Sequence, residues 1–144
     1  MTVPVWALLG FATWTVVLLF ATVGVYRWSR ILTGRVAIRD FRADQIDGAD
    51  WYRRAMRAHA NCVENLPVFG AIVLALYVSG VGGATVNAVS VVILAARIVQ
   101  SLVHVCLAQT NTVTSVRFAF FFIQAAGFLW LTAIVVRAGM GAAS

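Results

Sequence analysis

Four largely apolar segments, each long enough to cross a lipid bilayer, constrain this chain more than any other feature of its sequence. The first, residues 4–26, contains no charged side chain, and about 20 apolar residues suffice for a membrane-spanning helix. Only 11% of all residues are charged, whereas about a quarter are charged in soluble domains. The sequence therefore predicts an all-α integral membrane protein, a single domain over residues 1–144 built as a bundle of four transmembrane helices. We place the predicted spans at residues 4–28, 57–79, 84–108 and 113–137.

The basic residues are concentrated between the first two spans. All eleven are arginines, and most of them lie between positions 27 and 57. Short basic loops remain in the cytoplasm, so the sequence predicts a cytoplasmic loop over residues 29–56, with both termini outside. Anionic lipid headgroups and a small anionic ligand remain further explanations of the clustering, and a nucleic-acid partner is not expected.

Local sequence signals predict where the first helix ends and where the second helix begins. Apolar residues keep helical spacing from Arg27 to Arg42, which predicts that the first helix extends beyond the membrane, although Gly34 weakens this prediction. Asp50 is predicted as the N-cap of a helix that starts at Trp51, because its carboxylate can accept a hydrogen bond from a free backbone N–H group. Within the cytoplasmic segment, the part without helical structure is therefore expected to be short, residues 43–50, with a helix on either side.

The second span is unusual because its uncharged part is too short to cross a bilayer. Residues 66–78 rise by about 20 Å, and the hydrocarbon core is about 30 Å thick. A span of about 20 residues that ends at Val78 begins at His59. Asn61 and Glu64 must therefore lie at membrane depth, with Arg57 at the edge of the membrane.

Polar residues recur at helical spacing in three of the spans. Arg57, Asn61 and Glu64 share one helix face, which Arg54 flanks one turn earlier. Similar stripes occur on the third and fourth spans: Arg97, Ser101 and His104, and then Arg117 and Gln124. Because an ionised group in hydrocarbon is costly, the three stripes are expected to face a common protein interior or a watery pocket. Two interpretations remain open, a structural polar network and a ligand site.

Several arginines that face one carboxylate suit a small zwitterionic ligand with excess negative charge. Arginine binds carboxylates through two parallel hydrogen bonds, and Glu64 would accept an ammonium group. Glutathione carries two carboxylates, one ammonium and a thiol, so it matches this set of residues. An arginine near the thiol would increase the fraction of nucleophilic thiolate. Another low-molecular-weight thiol would also fit.

The segment from Arg54 to Phe69, RAMRAHANCVENLPVF, resembles the signature of the MAPEG superfamily, membrane-associated proteins in eicosanoid and glutathione metabolism. The region from Arg97 to Phe118 resembles bacterial members, which implies that the protein lies in a bacterial inner membrane. The resemblance implies a homotrimer that holds glutathione between neighbouring subunits near the cytoplasmic side. It implies that the ligand contacts are Arg57, Asn61 and Glu64, with Arg97 in the same interior and Arg35 or Arg39 at the end of the first helix. Arg54 completes the predicted ligand-binding set.

Three departures from the superfamily pattern affect the predicted chemistry. Asn65 stands where some members have a ligand-contacting tyrosine, and His104 stands where the eicosanoid enzymes tend to have a tyrosine. The loop arginine of those enzymes is displaced, with Thr114 and Ser115 near its expected place and Arg117 beyond. The catalytic candidates are therefore Arg39, Arg117 and His104.

The sequence favours an enzyme, a membrane-bound glutathione transferase or peroxidase that acts on lipophilic electrophiles or lipid hydroperoxides entering from the bilayer. The alternative is a non-catalytic scaffold that binds lipid or thiol on the same fold. A transporter coupled to protons through Glu64 fits less well, because the nearby arginines would repel cationic drugs. No metal site is expected, since neither Cys62 nor Cys106 has the spacing of metal ligands.

Overall fold

The computed structural model describes residues 1–41 and 47–142, which fold into four long helices. Each helix is long and apolar enough to cross a membrane, and the described residues contain no strand. The predicted all-α fold with four membrane-spanning helices is therefore confirmed, and the chain is an integral, multi-pass membrane protein. The helices are α1 (Val3–Leu32), α2 (Asp50–Val78), α3 (Ala84–Cys106) and α4 (Asn111–Ala142).

Helix α3 lies at the centre of the bundle and packs against the other three helices. Phe11, Phe69, Ile93 and Leu131, one from each helix, are fully buried in the apolar interior. The ring of Phe69 has its centre 5.8 Å from that of Phe11 and 5.9 Å from that of Phe128. Large apolar side chains are also exposed on the outside of all four helices, as expected when the surrounding solvent is lipid.

One glycine determines how closely α3 and α4 approach each other. A Cβ atom placed on Gly127 would lie 2.8 Å from Cγ1 of Ile93, closer than van der Waals contact allows. Small residues at such positions let membrane helices pack with their backbones close together. One turn before Gly127 on α4, the side chain of Gln124 meets that of Gln100 on α3 at 3.0 Å across the same interface.

Helix α1 is widened near its middle and ends abruptly. Residues Leu19–Gly24 are π-helical within an otherwise α-helical segment. The helix extends beyond the predicted span 4–28, as far as Leu32, but it does not follow the apolar spacing past Gly34. Gly34 adopts φ +69°, a left-handed conformation that ends a helix. The chain then forms a short 3₁₀ turn at Ile38–Asp40. Arg42 itself lies outside the described residues.

An aromatic cluster joins the end of α1 to the start of α2, at what we name the basic end of the bundle. The rings of Tyr26 and Tyr52 stack with 4.1 Å between their centres, and the Tyr26 hydroxyl accepts a hydrogen bond from the backbone N–H of Ala49. The predicted N-cap is displaced by one residue: Ala49 occupies that position, and Asp50 is the first helical residue. The carboxylate of Asp50 pairs with Arg54 instead of capping the helix.

Candidate functional site

A cavity of about 390 Å³ lies between α2, α3 and α4, in the half of the bundle nearest the basic end. Sites for small molecules usually enclose about 300–1,000 Å³, so this cavity can hold a small ligand. Three arginines and one glutamate form part of its wall. The lining residues are Arg57, Asn61, Glu64, Asn65, Arg97, Gln100, Gln109, Thr114, Arg117, Phe118 and Phe121.

Helix α2 contributes the polar stripe, and two members of the stripe line the cavity but remain exposed in the single chain. Arg57 and Glu64 are exposed in the single chain, whereas Asn61 is half-buried. Helix α2 has 29 residues, which makes it about 43 Å long, and Glu64 lies at its midpoint. A carboxylate exposed at this depth would meet hydrocarbon. This face of α2 therefore requires a protein or ligand that shields it from lipid.

Arg97 forms the inner wall of the cavity and is only 1% exposed. Its guanidinium carbon lies 5.4 Å from the centre of the Phe11 ring, a cation–π contact that orients the flat group. The Nε and Nη2 atoms have no hydrogen-bond partner among the described residues, and Glu64 attracts the guanidinium electrostatically. Unused donors on a buried cation are costly, so this geometry suits an anionic ligand.

Two buried glutamines fix the wall that α3 and α4 share. Gln124 is fully buried, and its side-chain N–H group donates to Oε1 of Gln100 at 3.0 Å and to the backbone carbonyl of Phe120 at 2.9 Å. Gln100 in turn donates to the backbone carbonyl of Arg117 at 2.8 Å. These bonds fix the position of α4 along α3, and with it the point at which Arg117 enters the cavity wall.

Five of the predicted site residues meet at this cavity. They come from three different helices, whose polar stripes were expected from the sequence to face a common interior or pocket. Helix α2 provides three of them, and α3 and α4 provide one each. The five residues are Arg57, Asn61, Glu64, Arg97 and Arg117.

Four other predicted site residues do not line the cavity. Arg35 and Arg39 follow the end of α1 and are exposed. Arg54 pairs with Asp50 and also lies 3.4 Å from the carbonyl oxygen of Val105, so its side chain is used within the basic end. His104 is 3% exposed and lies behind the cavity wall, where Arg54, Arg57 and Arg117 are its charged neighbours.

Six lining residues were not predicted as site residues. Asn65 and Gln100 extend the stripes of α2 and α3, and Gln109 lies in the turn between α3 and α4. The remaining three share one face of α4, at intervals of three and four residues from Thr114 to Phe121. That spacing is the signal that could have identified them, although phenylalanines in an apolar helix are usually explained by lipid or core contacts. They are Thr114, Phe118 and Phe121.

The cavity wall combines excess positive charge with an aromatic side. Its three arginines and single glutamate give it a net charge of two positive units when all are ionised. Phe118 and Phe121 are 57% and 42% exposed on the outer side of α4. Such a wall can hold a polar anionic molecule next to an apolar one. The described residues contain no group of His, Cys, Asp and Glu side chains that could hold a metal ion.

Comparison with known proteins identifies the family of this chain. The MAPEG family matches residues 3–137, a range that includes α1, α2, α3 and most of α4. No curated protein and no solved structure gives a match. Because the family match covers almost the whole length of the chain, the chain belongs to the MAPEG family.

Proposed function

We propose that this protein binds glutathione, or a closely related thiol, in the cavity between α2, α3 and α4. The bound thiol would be conjugated to lipophilic electrophiles or would reduce lipid hydroperoxides. Membership of the MAPEG family suggests a membrane function related to glutathione or eicosanoids. The observation that carries the proposal is the convergence of Arg57, Arg97 and Arg117 with Glu64 on one cavity at membrane depth.

The charges of glutathione complement those of the cavity wall. Its two carboxylates would pair with arginines, and its ammonium group would pair with Glu64. The tripeptide carries one net negative charge, and a second when its thiol ionises, against a wall with two net positive charges. Ionisation of the thiol therefore improves the match, which favours the nucleophilic thiolate in the bound state.

Helix α4 would bring the thiolate and the apolar substrate together. Arg117 and Thr114 offer donors to the sulfur, and Phe118 and Phe121 continue the same cavity wall. An apolar electrophile that enters from the lipid would therefore pack on the phenylalanines beside the sulfur. The thiolate sulfur would then form a bond to the electrophilic carbon while the bond from that carbon to its leaving group breaks, and the leaving group would depart with the electron pair. Holding both reactants in place would supply part of the rate enhancement.

A second copy of the chain would complete the site. Arg57 and Glu64 are exposed on the outer face of α2 at a depth where lipid would otherwise surround them. A neighbouring subunit that covers this face would remove the unfavourable contact and close the cavity. We expect a homotrimer, with the basic end in the cytoplasm of a bacterial cell and glutathione entering from that side.

A non-catalytic scaffold is the second candidate, and one observation favours it. The lining residues include no tyrosine, and Asn65 uses its side-chain N–H group to donate to the backbone carbonyl of Asn61 at 2.8 Å. His104 also lies outside the lining. Activation of the thiol would therefore depend on Arg117 and Thr114 alone, and a protein without that activation would bind thiol without using it.

Formation of the thiolate distinguishes an enzyme from a scaffold. For detergent-purified protein with glutathione, we expect an ultraviolet thiolate signal near neutral pH and turnover of a lipophilic electrophile or a lipid hydroperoxide. Arg117→Gln should reduce the thiolate signal and the turnover by about 10- to 100-fold each, because a charged hydrogen bond to the sulfur is lost. Arg137→Gln is the matched control, since Arg137 lies on the same helix outside the cavity. Glutathione binding without thiolate or turnover would support the scaffold.

A further inference from the structure

The same helix-ending turn occurs twice in this chain, once after α1 and once after α2. After α1, Gly34 has φ +69°, and its N–H group donates to the carbonyl of Ile31 at 3.0 Å. The N–H group of Arg35 donates to the carbonyl of Arg30, also at 3.0 Å. These two bonds across a left-handed glycine define a Schellman motif. The motif therefore brings the backbones of Arg30 and Arg35 together.

The turn after α2 has the same bonds and shows which side chains such a turn usually joins. Gly80 has φ +66°, and its N–H group donates to the carbonyl of Tyr77 at 3.3 Å. The N–H group of Val81 donates to the carbonyl of Leu76 at 3.1 Å. Leu76 is buried in the core, and Val81 packs against the same core. An apolar pair at these two positions is the usual companion of the motif.

At the turn after α1 the two equivalent positions carry arginines instead of an apolar pair. No described carboxylate pairs with Arg30 or Arg35, whereas Arg39 lies 4.0 Å from Asp40 and Arg54 pairs with Asp50. The negative end of the helix dipole favours a cation here, yet its charge is about half a unit and cannot balance two arginines. The turn therefore has an excess of positive charge that an anion would balance.

The side chain of Arg30 is already held in place for such an anion. Its guanidinium carbon lies 4.3 Å from the centre of the Tyr26 ring, and Tyr26 is itself stacked on Tyr52. No described residue accepts a hydrogen bond from the Arg30 side chain, so its donors remain available. Arginine binds phosphate oxygens through two parallel hydrogen bonds, and a guanidinium that is stacked on an aromatic ring loses little freedom in doing so.

Exposed apolar residues on the last turns of α1 place this site at the membrane surface. Val25, Trp28 and Leu32 share one helix face, and they are 59%, 56% and 79% exposed. Tryptophan is enriched at the level of lipid headgroups, with arginines on the aqueous side. An anion bound at the turn would therefore lie directly above exposed apolar side chains, an arrangement that fits a lipid better than a soluble ion.

We propose that the turn formed by Arg30, Gly34 and Arg35 binds the phosphate of an anionic membrane phospholipid, with Trp28 and Leu32 in contact with its acyl chains. A soluble phosphate would use the arginines and leave the apolar face unused. The site is formed by the end of α1, and none of these residues lines the cavity. The proposal therefore does not depend on the proposed thiol chemistry.

The test measures how phospholipids protect the full-length protein against thermal unfolding in neutral detergent. The probes are phosphatidylglycerol, phosphatidylcholine and inorganic phosphate. We expect phosphatidylglycerol to protect at concentrations at least about tenfold lower than phosphatidylcholine. Each basic residue near a membrane surface contributes about a fivefold gain in affinity, so Arg30→Gln with Arg35→Gln should weaken phosphatidylglycerol binding by about 25-fold. Arg39→Gln, which removes an arginine beyond the turn, should weaken it no more than about fivefold.

Two glycine variants test the geometry without changing the charge. Gly34→Val and Gly80→Val place the same side chain in the same left-handed conformation, and neither new Cβ would have an atom within 4 Å. Only Gly34→Val should weaken phosphatidylglycerol binding, because only that turn brings the two arginines together. Equal effects of Gly34→Val and Gly80→Val would overturn the proposal, as would equal effects of Arg39→Gln and the double variant. Protection by inorganic phosphate at the same concentration as phosphatidylglycerol would show a soluble-anion site instead.

Discussion

Arg97 illustrates what a charged side chain requires at membrane depth. It is nearly fully buried and stacks on Phe11, and Glu64 is its nearest acidic residue at the cavity, yet two of its donor atoms have no partner among the described residues. A purely structural ion pair would be expected to satisfy more of these donors, because an unused donor on a buried cation lowers stability. The ligand interpretation explains the unused donors, since a bound carboxylate would accept from them.

The two interpretations of Arg97 predict different effects on stability. Under the ligand interpretation, Arg97→Met combined with Glu64→Gln removes a buried cation with unused donors together with an exposed carboxylate. We expect the ligand-free protein to keep its free energy of unfolding or to gain about 1 kcal/mol, because unused donors on a buried cation lower stability. Thermal unfolding in detergent measures this change. A loss of more than about 2 kcal/mol would instead show that the pair stabilises the fold.

Gln124 gives a second prediction at the scale of single residues. Here we expect the substitution to lower the stability of the protein, whereas the Arg97 double variant should not. Gln124→Leu would leave Oε1 of buried Gln100 without its donor at 3.0 Å. An unsatisfied buried acceptor costs about 1–3 kcal/mol, so the melting temperature should fall. Gln109→Leu is the matched control, because Gln109 is exposed and has no such bond among the described residues. Equal melting temperatures for the two variants would contradict the importance of the glutamine pair.

The sequence could predict the direction of a side chain on its own helix but not what lies next to it. The spacing of Arg57, Asn61 and Glu64 was enough to place them on one face, and the cavity contains all three. Arg54 precedes this stripe by one turn, yet Asp50 and the carbonyl of Val105 hold it away from the cavity. Such competition depends on tertiary contacts that helical spacing does not contain.

At the scale of the helices, the distance between α3 and α4 determines the shape of the site. Gly127→Ala should lower the free energy of unfolding by about 1–3 kcal/mol, because the new methyl group would lie 2.8 Å from Cγ1 of Ile93. Gly139→Ala on the same helix has nothing within 4 Å and should be neutral or slightly stabilising. Thermal unfolding of the two variants measures the difference, and a similar loss in both would contradict the role assigned to Gly127.

Helix ends were harder to predict than helix positions. The four spans follow from the length of largely apolar sequence, which local turns do not alter. The end of α1 depends on the φ angle of one glycine, and apolar spacing beyond Gly34 pointed to a longer helix than the one that forms. Glycine has access to both helical and left-handed conformations, so its presence alone does not determine whether a helix continues or ends.

At the scale of the whole molecule, the exposed charges on α2 predict assembly. A single chain in a bilayer would leave Arg57 and Glu64 against lipid, so we expect several copies to associate through this face. Native mass spectrometry of protein released from mild detergent should give three copies of the 15.6 kDa chain. A monomer under conditions that preserve the fold would contradict the proposed intersubunit site.

Glutathione binding tests the central claim most directly. Calorimetry on detergent-purified protein should show saturable binding that Arg57→Gln weakens by about 10- to 100-fold, because a charged hydrogen bond contributes about 1.5–3 kcal/mol. Arg53→Gln removes the same charge one turn earlier on α2, outside the cavity, and should leave the affinity within about threefold of the wild type. The absence of saturable binding, or equal weakening by both variants, would contradict a glutathione site in this cavity.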